Sequence, residues 1–195
     1  SMSTGSWSRL KEMSDLGAKV INMSWLSSCS PLSYEQDAIN EIYNQGTVLV
    51  AAAGNNTTCG NSYSYVYPAS YENVISVSGV GHLNDINSGI TTNVKDVHYY
   101  DYSIQKNNTQ NNDAVDIVAP SYDMLGMPYN HCDTCIGMVW SGTSLATPIV
   151  SGTVALLFSS NNCLNPLEIE SIIKLSSANI EQLTPNAPFK GLLGA

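Results

Sequence analysis

The chain has 195 residues, enough for one domain with a sizeable core. Its hydrophobic share of 43% is ordinary for a globular protein, and no uninterrupted apolar run reaches the roughly 18 residues of a membrane span. A net charge of −9 with only seven Lys and Arg argues against nucleic-acid and anionic-membrane partners. Low charge with many Asn, Ser, Thr and Tyr suits an exported protein. The start, SMSTGSWSRL, has no basic region followed by an apolar core, so no signal peptide is expected in the chain. Ser1-Met2 reads as a cloning remnant, and the natural N-terminus is expected upstream.

Trp7–Leu16 is helix-like and stops at Gly17, and Ala18–Met23 (AKVINM) is a short apolar strand. Ser33 opens a second helix as its N-cap, with Gln36 spaced to close a capping box. Tyr34, Ala38, Ile39 and Ile42 stripe one face, and Gly46 ends the helix. Thr47–Ala53 (TVLVAAA) is a continuous apolar run, the pattern of a strand covered on both faces. Val74–Val80 and Val115–Ala119 are two more strands. Between them, Asn84–Asp113 is rich in Asn, Thr and Tyr and reads as a long surface insertion. Thr143–Phe158 is a long helix, apolar nearly all round and so expected at the centre. A last helix starts at Asn165, with Pro166 at the first position, Glu168 closing a capping box, and Leu164 and Ile169 spaced as a hydrophobic staple. Strands alternating with helices predict a mostly parallel α/β sheet with helices on both faces, in one domain over 1–195.

Five cysteines leave at least one unpaired within the chain. Cys132 and Cys135 have the spacing of half a zinc site, and His131 is adjacent. No second Cys pair or spaced His pair completes the site, so a local disulfide or plain thiols is the competing reading.

In Ser141–Leu157 (SGTSLATPIVSGTVALL) a polar turn runs straight into the long apolar helix. A serine at a helix N-terminus has free backbone N–H donors beside it and a dipole that favours negative charge. Ser144 can therefore be a nucleophile, which also needs a base and oxyanion donors, or it can simply help to cap a buried helix.

The segments VINMSW (20–25), VLVAAAGNN (48–56), YPASYENVISVSGV (67–80), VDIVAP (115–120) and SGTSLATP (141–148) occur in this order. Together they closely resemble the subtilisin-like serine peptidases, the subtilases, and Lys190–Ala195 (KGLLGA) resembles the end of their catalytic domain. The resemblance implies a subtilisin-like α/β fold with Ser144 as the nucleophile. It also implies that Asn55 is the side-chain donor of the oxyanion hole, with the Ser144 backbone N–H as the second donor. Ser24, Trp25 and Leu26, and Ala52, Ala53 and Gly54, match the two segments that line the specificity pocket; one of these pairs with the substrate as an added strand. Leu26 stands where the family usually has glycine, so the pocket is expected to be narrower or differently entered. Leu145 for methionine and Ile149 for histidine are milder departures.

The larger departure concerns the base. The family places an Asp before Ser/Thr-Gly and a His in His-Gly-Thr ahead of the serine. None of His82, His98 or His131 precedes a glycine, and Asp116 and Asp123 flank IVAP, where the family has no catalytic group. The first strand here falls after both missing motifs. The chain is thus expected to be the C-terminal part of a subtilase catalytic domain, inactive alone and partnered by the upstream part of the same protein.

Alternatives are a pseudo-peptidase that binds peptide or a protein partner, and a thiol or metal protein using Cys132 and Cys135. An uncovered edge and apolar face would also invite a homodimer or swapped assembly. No cofactor is expected to be required. Calcium is possible through the resemblance, with the carbonyls of Ala69, Tyr71 and Val74 matching a weak cation position. The resemblance further implies a disulfide between Cys29 and Cys59, which follow the two pocket segments. It would close a loop of about 30 residues, worth on the order of 3 kcal/mol, and would imply an oxidising compartment.

Overall fold

A computed structural model describes residues 4–55, 58–61, 63–82, 97–99, 110, 112–122, 124–125 and 139–178. In chain order its elements are α1 (Thr4–Asp15), β1 (Val20–Met23), α2 (Ser33–Asn44), β2 (Val48–Ala52), β3 (Val74–His82), β4 (Val97–Tyr99), β5 (Ile117–Pro120), β6 (Met124–Leu125), β7 (Val139–Trp140), α3 (Thr143–Ser160) and α4 (Pro166–Ser176). Strands β1, β2, β3 and β5 form a parallel sheet, as the alternation of elements predicts, and β4 adds antiparallel to the end of β3. β6 and β7 form a separate antiparallel pair.

The side-chain period of a strand explains the layers. Val48 and Val50 of β2 point to one face, where Ala146, Val150, Val154 and Phe158 of α3 and Ile169 and Ile173 of α4 cover them. Leu49 and Ala51 point to the other, beneath Trp7 of α1 and Ile39 and Ile42 of α2. All five β2 positions are buried, as expected for a strand covered on both faces. α4 is tied down by Lys174, whose ammonium lies 2.6 Å from Asp116. Burial raises the Asp116 carboxyl above its ordinary range, against the opposing pull of Lys174 and of the Ser76 N–H.

Local signals read well where their partners are local. Asn165 and Glu168 exchange the two bonds of a capping box, at 3.0 and 2.8 Å, and Leu164 packs into the cluster that holds Ile169. At α2 the expected box does not form. Leu32 is the N-cap, with no side-chain cap bond. The Gln36 amide is instead recruited by the backbone of Glu72, giving and accepting one bond each. Tyr34 is exposed, and the inward position is taken by Glu35, which is buried.

Two larger expectations are corrected. α3 is not covered all round: Ala146, Val150, Val154 and Phe158 are buried, while Ile149 is 39% and Leu156 72% exposed. Its 18 residues are long and apolar enough to cross a membrane, but one side is packed on the sheet. The stretch 84–113 is not wholly a surface insertion. β4 lies within it, and Gln110 and Asn112 near its end are buried. Gln110 N–H donates to the Gly54 carbonyl and Asn112 Nδ2 to the Ser64 carbonyl, so this end supplies partners for half-buried backbone groups. Most of 84–113, together with His131, Cys132, Cys135, Asp123 and 190–195, lies outside the described residues.

Candidate active site

Parallel pairing of Met23 with Ala51 makes β1 and β2 end side by side, so the two segments leaving them start next to each other at the carboxyl ends of the strands. The start of α3 is bonded to both segments, Thr143 to Gly54 and Ser144 to Ser24. The residue before it, Gly142, has φ 148°, and a Cβ there would sit 3.2 Å from Asn55 Nδ2. The positive φ favours glycine, and a side chain there would press on the Asn55 amide.

Beyond β2 the chain turns at Gly54, with φ 106°, where a Cβ would lie 2.9 Å from side-chain carbons of Val66 and Gln110. The Gly54 N–H donates to Thr143 Oγ1 at 3.2 Å. That hydroxyl donates to Asn55 Oδ1 at 3.1 Å, and the Thr143 N–H donates to the same oxygen at 2.8 Å. Two donors on one oxygen settle the orientation of the amide: its carbonyl end faces Thr143, and its NH₂ end is left as a donor on the other side.

Ser144 is the second residue of α3 and is exposed. Its N–H belongs to the first turn, which has no intrahelical acceptors. Its hydroxyl donates to the Ser24 carbonyl at 3.3 Å, and the Ser24 hydroxyl donates to the Ser144 carbonyl at 3.0 Å. Asn22 Nδ2 donates to the Ser24 hydroxyl at 2.9 Å, and Asn22 Oδ1 accepts from Ser151 of α3 at 2.9 Å. The end of β1 is therefore laced to α3 at Ser144 and again about two turns on, at Ser151.

The structure brings together Ser144, Asn55 and both segments, Ser24–Leu26 and Ala52–Gly54. Trp25 is half-buried and Leu26 is 39% exposed. Val66 and Tyr67 run between the segments: Tyr67 exchanges backbone bonds with Ser27 and Ser28, and Val66 packs against the Gly54 α-carbon. Further out, Cys29 and Cys59 are joined, with Cα atoms 5.3 Å apart. Replacing both by serine is expected to cost about 3–4 kcal/mol for a loop of 30 residues, read as a lower urea midpoint under oxidising conditions. Thr143, Asn22 and Gln110 carry no signal of their own in the sequence. Thr143 stands inside the Gly-Thr-Ser signature, but its grip on Asn55 spans 88 positions.

His82 and His98 contribute backbone to the β3–β4 pairing, and no histidine side chain belongs to the described residues. Asp116 is engaged by Lys174. Ala69 and Tyr71 lie buried in the turn that leads to Val74 at the start of β3. Among the described residues no group of three His, Cys, Asp or Glu could hold a metal. A carbonyl set without a carboxylate does not fit a tightly held calcium ion.

The profile of the Subtilase family (Peptidase_S8) matches residues 2–190. The thermophilic serine proteinase of Bacillus sp. (strain AK1) is 35% identical over 170 residues, covering 85% of this chain and 34% of that protein. The minor extracellular protease Epr of Bacillus subtilis (strain 168) is 33% identical over 138 residues, 71% of this chain and 17% of that protein. Sphericase, a solved structure, superposes with a TM-score of 0.66 at 25% identity, covering 90% of this chain and 56% of that one. The chain thus spans only part of the length of each. With the profile running over nearly its whole length and the fold shared, the chain belongs to the subtilase family.

Proposed function

We propose that this chain carries the nucleophile and oxyanion hole of a serine endopeptidase whose catalytic Asp and His come from an upstream part of the same protein. Ser144 Oγ attacks the scissile carbonyl and passes its proton to that His. The carbonyl oxygen, now negative, accepts from Asn55 Nδ2 and from the Ser144 N–H at the positive end of α3. The amine leaves with the proton, and water then hydrolyses the acyl-enzyme. The peptide lies between Ser24–Leu26 and Ala52–Gly54, paired as an added strand.

The observation that carries this reading is the pair of Thr143 bonds to Asn55 Oδ1, because a mere turn asparagine needs no such orientation. Two uncovered surfaces support the upstream partner: the outer face of α3, and β1, which pairs only with β2 among the described residues. The Cys29–Cys59 bond supports an oxidising compartment, and the extracellular relative supports secretion.

A fluorophosphonate should label the complete protein at Ser144, and casein should be cleaved. A pseudo-peptidase, favoured by the Ser144 hydroxyl resting on a backbone carbonyl, would bind peptide and take no label.

A further inference from the structure

Beneath the pocket segment lies a carboxylate that this mechanism does not use. Glu35, on the inward face of α2, is 1% exposed. Its Oε1 accepts from the Trp7 indole N–H at 3.0 Å and from the Tyr34 hydroxyl at 3.3 Å. Its Oε2 accepts from the Ser27 hydroxyl at 3.0 Å and from the Tyr71 hydroxyl at 2.8 Å. All four donors are neutral. Burial, with the carboxylate adding to it, pushes the Tyr71 phenol well above its ordinary range, so it stays a donor. A carboxyl group is buried at tolerable cost only when both of its oxygens are bonded in this way.

The donors come from separate parts of the chain, and two of them converge on Trp25–Ser27. Ser27 is bonded directly. Trp25 packs edge-on against the Trp7 ring, with centroids 5.7 Å apart, and Glu35 fixes that ring through its N–H. Leu26 stands between the two in the chain and is 39% exposed. The other end of the segment is fixed independently, Ser24 being held by Asn22 and by Ser144. One buried carboxylate thus anchors the far half of the segment, while α3 anchors the near half.

We propose that Glu35 is a positioning residue that holds Trp25–Ser27 in place for an extended peptide, and so sets affinity for polypeptide without setting the reactivity of Ser144. This rests on the serine-peptidase reading above. Glu35→Gln keeps the shape and one acceptor. The Ser27 and Tyr71 hydroxyls have alternative acceptors in the Tyr67 and Leu32 carbonyls, so the variant retains partners for its buried groups.

In the complete protein, Glu35→Gln should raise KM for an octapeptide about five- to tenfold, with kcat and the rate of fluorophosphonate labelling each within about twofold of the parent. Ser27→Ala, which removes a single donor, should raise KM about threefold in the same way, and it decides the matter if Glu35→Gln does not fold. Equal loss of peptide turnover and labelling would reduce Glu35 to general stability and overturn the proposal, as would an unchanged KM in both variants. An unsubstituted protein that takes no label would overturn the peptidase reading and this inference with it, and that outcome is visible before any substitution is made.

Discussion

Ser144→Ala in the complete protein is expected to lower kcat for peptide hydrolysis by about 10⁶, leaving KM and the unfolding midpoint nearly unchanged. That magnitude is the one known for subtilisin, a member of this family, and does not follow from the geometry of this chain. The selectivity of the effect does follow from the structure. Ser144 is exposed and its hydroxyl makes one long bond to a backbone carbonyl, so alanine there opens no cavity and strands no buried donor. A surface change of this kind shifts stability by about 0.5 kcal/mol or less. Steady-state kinetics beside a urea titration would separate the two: a fall in stability of several kcal/mol would mean that the residue is a structural cap after all.

Asn55→Ala is expected to lower kcat by about 10²–10³, again the value known for the corresponding change in subtilisin, with KM affected far less. In the proposed mechanism the amide meets the substrate oxygen chiefly when that oxygen is negative, so its loss should fall on the transition state. Thr143 provides a finer check. Thr143→Val keeps the backbone N–H bond to Asn55 Oδ1 but loses the hydroxyl bond and the acceptor for the Gly54 N–H. Its kcat should fall roughly tenfold, between parent and Asn55→Ala, because one of two orienting bonds remains. An Asn55→Ala variant as fast as the parent would remove the amide from the mechanism.

What can be read from the sequence follows the reach of each interaction. β2 is evident because a strand buried on both faces is continuously apolar, and the Asn165–Glu168 box because both partners lie within one turn. The box expected at Ser33 fails on a contact 36 positions away, where the Glu72 backbone claims Gln36. Glu35 is invisible for the same reason: a charge in an amphipathic helix reads as solvated, and its Trp7, Ser27 and Tyr71 partners are scattered along the chain. Gln110 is hidden within a polar stretch whose composition gives no hint of burial. α3 misleads in the opposite sense. Its residues are apolar on every side, so nothing in the pattern distinguishes the face packed on the sheet from the face left open. At the site, motif resemblance supplies the candidate residues, and geometry adds how they are held: Thr143 for Asn55, and Asn22 for Ser24.

In the proposed mechanism Ser144 has its oxyanion donors within this chain and its base outside it. Fluorophosphonate labelling of residues 1–195 alone, then of the same chain mixed with the upstream segment, tests this most directly, with the labelled peptide assigned by mass. No label is expected at Ser144 in the isolated chain; labelling should appear with the upstream segment and be lost again in Ser144→Ala. Labelling of the isolated chain at the rate of the complete protein would contradict the mechanism, and would place the base within the chain, at His131 or His98.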